Sequence, residues 1–75
     1  ISLTTKEFDI VFKLLSYPKK TFSRQALMDE FWDSETTSST RTVDVYVTKL
    51  RDKFSVSKDF EIQTVHGLGY KAVLL

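Results

Sequence analysis

The stretch Thr40-Arg-Thr-Val-Asp-Val-Tyr-Val-Thr-Lys-Leu-Arg-Asp-Lys-Phe54, followed by Gln63-Thr-Val-His-Gly-Leu-Gly-Tyr70, decides how the chain is read. At helical pitch Val43, Val47, Leu50 and Phe54 form one stripe, and Arg41, Asp44, Val45, Thr48, Lys49 and Asp52 fall opposite it. The first face is fit for burial. The second mixes a guanidinium, an ammonium, carboxylates, a hydroxyl and an outward valine, groups that match the donors, acceptors and thymine methyl on base edges in a major groove. Spacing alone fits an ordinary solvated helix face equally well. Downstream, Phe60–Val65 and Tyr70–Leu74 are rich in β-branched and aromatic residues, and His66-Gly-Leu-Gly69 supplies the glycines of a tight reversal, so a β-hairpin is predicted there. No third glycine opens a helix and no Gly-Lys-Ser/Thr follows, so Gly67 and Gly69 do not read as a nucleotide loop.

Taken together, Ser39-Thr-Arg-Thr-Val-Asp-Val-Tyr-Val-Thr-Lys-Leu-Arg51 and Thr64-Val-His-Gly-Leu-Gly-Tyr70 resemble the "SRTVDVHVxxLRxKL … TVRGxGY" signature of the C-terminal DNA-binding domain of OmpR/PhoB-type response regulators. Leu3-Thr-Thr-Lys-Glu-Phe8, Phe22-Ser-Arg-Gln-Ala-Leu27 and Phe31-Trp32 resemble that family's upstream segments in the same order. The resemblance covers Leu3 to about Val73. It implies an α+β winged helix-turn-helix of three helices and a C-terminal hairpin wing, with most of the family's N-terminal sheet missing. Ile1–Leu3 would be the last strand of that sheet. It also implies a phosphoacceptor receiver domain ahead of this segment, an expectation in keeping with Ile1 as first residue and Met28 as the only methionine.

The same resemblance assigns roles. Arg41, Thr42, Asp44, Val45, Thr48 and Lys49 would face base edges. Trp32, Tyr46, Arg51, Thr64, His66, Gly67 and Tyr70 would hold backbone or belong to the wing. Trp32 and Tyr70 also suit packing, with only the polar tip left for function. The polar segment Asp33-Ser34-Glu35-Thr36-Thr37-Ser38-Ser39 is expected as an exposed loop and, on the resemblance, as the contact with RNA polymerase; a plain solvated connection is the alternative. Implied partners are double-stranded DNA with direct-repeat half-sites, a second copy on DNA, RNA polymerase, and a sensor histidine kinase acting through the receiver. Two departures stand out. His66 occupies a position where many relatives have a minor-groove arginine, and a neutral imidazole makes the weaker contact. Thr48-Lys49 replaces the two arginines of some relatives, exchanging a bidentate fork for a point charge.

Elsewhere the chain supports a small single domain. Its 75 residues give a modest core, the apolar and charged fractions (41% and 28%) are those of a globular protein, and no run is long enough to span a bilayer. Without cysteine there is no disulfide or thiolate metal site, which suits a cytoplasmic setting. No cofactor is implied. One histidine and scattered carboxylates make no catalytic constellation. A protein-binding winged helix is the competing function. Against it, the third helix presents charges where apolar anchors would be needed. The net charge is only +1, with residues 41–75 carrying six basic against four acidic side chains and residues 1–40 five against six. A single module should therefore bind DNA weakly and salt-sensitively.

Thr4-Thr-Lys-Glu7 reads as a capping box for a helix from Thr5 to about Ser16, with Phe8, Val11, Phe12 and Leu15 turned inward and Pro18 closing it. Thr21-Phe22 is a candidate short strand pairing with the hairpin. Ser23 is the N-cap of a second helix burying Ala26, Leu27, Phe31 and Met28.

Overall fold

The computed structural model describes residues 2–32 and 39–75. In chain order the elements are α1 (Thr5–Ser16), β1 (Phe22–Ser23), α2 (Arg24–Phe31), α3 (Arg41–Lys53), β2 (Phe60–Val65) and β3 (Gly69–Leu74). Helix α1 starts where a capping box closes: the Glu7 amide donates to Thr4 Oγ1 at 3.2 Å and the Thr4 amide donates to Glu7 Oε1 at 2.8 Å. Ser23 caps α2 by accepting from the Ala26 amide at 3.0 Å. At α3 the Ser39 hydroxyl accepts from the Arg41 amide at 3.3 Å, while the Thr40 side chain makes no capping bond.

The strands form one antiparallel sheet in the order β1-β3-β2. Ile62 faces Ala72, and Thr64 faces Tyr70, across the hairpin. Between the strands, the Leu68 amide donates to the Val65 carbonyl at 2.9 Å and Gly67 takes a φ of 77°, a left-handed backbone that glycine adopts without steric cost. The strand expected at Thr21-Phe22 lies one residue later and pairs Phe22 with Tyr70 and Ser23 with Gly69. Ser23 thus ends a strand and caps a helix, which fixes α2 directly to the sheet. Among the described residues, Ser2 and Leu3 belong to no strand, so the expected N-terminal edge strand is not formed there. Ile1 lies outside the described residues.

Ile10 and Leu14 of α1, Leu27 and Met28 of α2, Val43, Val47 and Leu50 of α3, and Phe22, Ile62, Tyr70 and Ala72 of the sheet meet in one core. The expected inward face of α1 is therefore corrected. Phe8 and Phe12 are 53% and 62% exposed and stack on each other with centroids 5.6 Å apart, while Ile10, Val11 and Leu14 take the core side and Leu15 packs at its edge. Ala26, also expected inside, is exposed, and Phe31 is half-buried. The α3 stripe is as expected, with Phe54 half-buried against Phe60 at 5.1 Å.

Glu7 is the one charged residue among the described residues to lie inside, where its carboxylate accepts from Lys53 Nζ at 2.7 Å. Lys53 also donates to the Ser2 carbonyl at 2.9 Å, so one ammonium joins the start of the chain, α1 and the last turn of α3. The bonds from Lys53 and from the Thr4 amide hold the Glu7 carboxyl at about 2, below its ordinary 4.5. A depressed folded value means stability that is present above pH 4.5 and is lost as the pH falls toward about 2. Glu7→Gln should lower the melting temperature at neutral pH by several degrees and flatten its decline over that acid window. Thermal melts of both proteins across the pH series check this, and parallel curves would count against the bridge.

Candidate nucleic-acid interface

Burial of Val43, Val47 and Leu50 turns the opposite face of α3 outward, and Arg41, Val45, Thr48 and Lys49 are all exposed on it. Val45 leaves an apolar side chain 51% exposed there. Thr48 Oγ1 donates to the Asp44 carbonyl at 2.9 Å, leaving its acceptor lone pairs outward. Thr42 is half-buried at the first turn. Among the described residues Arg41 and Lys49 enter no ion pair.

Beside this face runs an alternation of cations and rings. Lys6 Nζ sits 4.8 Å from the Trp32 ring centre and donates to the Phe31 carbonyl. Trp32 meets Tyr46 edge-on at 5.4 Å, and Lys49 Nζ lies 5.5 Å from the Tyr46 ring. Trp32 and Tyr46 are half-buried in this stack, so their placement is first a matter of packing α2 against α3.

On the other flank the wing is tied to α3. Arg51 donates through Nε to the Ile62 carbonyl at 3.1 Å and through Nη2 to Thr64 Oγ1 at 2.7 Å, with its guanidinium 5.6 Å from the Tyr70 ring. Two residues expected at phosphates thus pair with each other. Tyr70, buried in the core, donates its hydroxyl to Asp44 Oδ1, and Arg24 Nη1 donates to Asp44 Oδ2 at 3.1 Å. Burial, and then the Asp44 carboxylate, push the Tyr70 hydroxyl above its ordinary value of 10.0, so it stays protonated and a donor. Arg24, Asp44, Thr64, His66, Gly67 and Tyr70 border an open cleft of about 200 Å³ between the start of α2, α3 and the hairpin. His66, Gly67 and Leu68 are exposed at the hairpin tip.

Of the expected base-facing residues, the structure brings Arg41, Val45, Thr48 and Lys49 onto one exposed surface and turns Asp44 toward the wing. Asp33, Ser34, Glu35, Thr36, Thr37 and Ser38 of the expected polymerase loop lie outside the described residues, and Ser39 serves the start of α3. Arg24 and Lys6 were not among the expected site residues. Their partners lie 20 and 25 residues away in sequence, beyond any local spacing signal. Among the described residues no cluster of three or more metal-ligating side chains occurs, and no helix is long and apolar enough to cross a membrane.

Residues 1–72 match the family model described as "Transcriptional regulatory protein, C terminal". The chain belongs to this family. The transcriptional regulatory C-terminal family is a class of DNA-binding domains and not of enzymes. Over 74 residues the chain is 38% identical to the heme response regulator HssR of Staphylococcus haemolyticus, covering 97% of this chain and 33% of HssR. The chain spans about a third of the length of the curated relatives it matches. Its fold matches the crystal structure of the DNA-binding domain of Bacillus subtilis CssR with a TM-score of 0.86 at 29% identity, covering 97% of this chain and 80% of that one. It matches the DNA-binding domain of the response regulator AdeR, solved in complex with an intercistronic region, with a TM-score of 0.84 at 33% identity, covering 100% and 78%. The winged-helix OmpR/PhoB architecture implied by the sequence motifs is the one adopted by this regulatory domain.

Proposed function

We propose that this chain is the DNA-reading output domain of a two-component transcription regulator and binds double-stranded DNA sequence-specifically. The observation that carries this reading is the exposed face of α3, on which Arg41, Val45, Thr48 and Lys49 stand together beside a hairpin with an exposed tip. Helix α3 enters the major groove, with Thr42 at its leading turn and Lys49 as principal base reader. Trp32 and Tyr46 flank one phosphate strand. On the other side the hairpin lays Thr64, His66 and Gly67 on backbone and minor groove, with Arg51 and Tyr70 bracing it from beneath. That the similar AdeR domain was solved in complex with an intercistronic region supports DNA binding as such. Two copies bind direct-repeat half-sites, the Asp33–Ser39 segment meets RNA polymerase, and a receiver domain phosphorylated by a sensor kinase lies ahead of residues 1–75 in the same polypeptide.

The test is selection from a random-sequence duplex library across a salt series, with Lys49→Ala alongside. A short half-site should be enriched, and affinity should fall steeply with salt. Lys49→Ala should lose about tenfold in affinity and relax one or two positions of the site. No retention of any duplex at low salt would overturn the reading and bring a protein-binding winged helix forward.

A further inference from the structure

Asp44 sits in the middle of the α3 face proposed to read DNA, yet its carboxylate is already occupied. Oδ1 accepts from the Tyr70 hydroxyl and Oδ2 from Arg24 Nη1. The two donors come from different elements, Tyr70 from the second position of β3 and Arg24 from the first position of α2. β1 closes the triangle: Phe22 pairs with Tyr70, and the chain then passes through Ser23 into Arg24. α2, α3 and the wing therefore converge on one side chain.

We infer that Asp44 is a positioning residue that fixes the angle of the wing to α3, and that it reads no base. The inference rests on the DNA-binding reading of this surface. To accept from a cytosine amine, Asp44 would have to release the Tyr70 hydroxyl, whose ring is buried and which has no other acceptor among the described residues. The move would also separate a carboxylate from the guanidinium that neutralises it, on a surface that approaches phosphates. Held in place, the Arg24–Asp44 pair leaves no net negative charge in the cleft, and the rest of the Arg24 guanidinium stays open to it. Arg51 braces the same junction from the far side through Ile62 and Thr64, so the wing is held to α3 at both edges.

The experiment compares Asp44→Asn, Tyr70→Phe, Arg24→Gln and the double variant Asp44→Asn/Tyr70→Phe with the parent chain, by duplex affinity and by base preference at every position of the selected half-site. Arg24→Gln changes an exposed side chain and keeps the test valid where a variant at the buried Tyr70 fails to fold. A positioning role predicts that each single variant loses affinity by about tenfold, that the double variant is no worse than the weaker single one, and that the preferred base at each position is unchanged. A base-reading Asp44 predicts the opposite split: Asp44→Asn alters the preference at one base pair by roughly tenfold or more, and Tyr70→Phe and Arg24→Gln leave the profile as it was. That result, or parent-like affinity in all singles, overturns the inference while the DNA-binding reading stands. Failure of the parent chain itself to retain duplex overturns both.

Discussion

Gly69→Ala should unfold the wing from the rest of the protein. A Cβ on Gly69 would stand 2.0 Å from the Phe22 carbonyl oxygen and 2.8 Å from both the Phe22 carbonyl carbon and Ser23 Cα. All three are backbone atoms, so no flexible side chain can move aside, and β1 must separate from β3. That separation breaks the Phe22–Tyr70 and Ser23–Gly69 pairs and unseats the start of α2 from the sheet. Overpacking that displaces backbone costs about 3 kcal/mol or more. Gly67→Ala is the control. Nothing lies within 4 Å of its Cβ, and the φ of 77° alone should cost about 1–2 kcal/mol. Urea unfolding of both variants checks the contrast, and equal midpoints would mean that β1 and β3 are not in close contact.

Leu50→Ala should be nearly as damaging, by another route. Leu50 is fully buried on α3, in the hydrophobic core. Truncating such a leucine costs about 2–5 kcal/mol, the lost transfer energy plus the cavity left behind. A domain of this length has roughly 4–11 kcal/mol in all, so a large fraction of its stability goes with one side chain. Lys49→Ala, the adjacent residue on the outward face, should change stability by less than about 0.5 kcal/mol. Thermal melts of the two variants therefore separate the face that holds the fold from the face proposed to meet DNA. A Leu50→Ala melt matching the parent would mean that α3 is not anchored through this stripe.

How far the chain could be read beforehand varied from helix to helix. In α3 the apolar residues Val43, Val47 and Leu50 form one narrow stripe against charged neighbours, and periodicity assigned the buried face correctly. In α1 apolar residues occur at 8, 10, 11, 12, 14 and 15, which surrounds most of the helix, so spacing could not choose between the Phe8–Phe12 side and the Ile10–Leu14 side. Burial of Glu7 made the choice harder still, because a carboxylate at a core position contradicts the pattern until its Lys53 partner, 46 residues away, is known. Capping boxes and glycine turns are local and were legible, and the family motif gave the architecture. Polar links between distant elements, such as Arg24 to Asp44 and Arg51 to Ile62, have no local signature. In the structure they tie Asp44, Arg51 and Tyr70, three of the residues expected to meet DNA, to one another's elements as well.

The edge-on contact of Trp32 with Tyr46 bears on how the domain can be watched by light. Trp32 is the only tryptophan in the chain, and the Tyr46 ring meets it edge-on at 5.4 Å. Lys6 on one side and Lys49 on the other place positive charge against the two rings. The ammonium against the indole itself is that of Lys6, so a ligand that draws it away should shift the Trp32 emission, which a fluorescence titration checks. The domain carries a native fluorophore at the junction of α2 and α3, and occupancy of the neighbouring surface can be followed without attaching a dye.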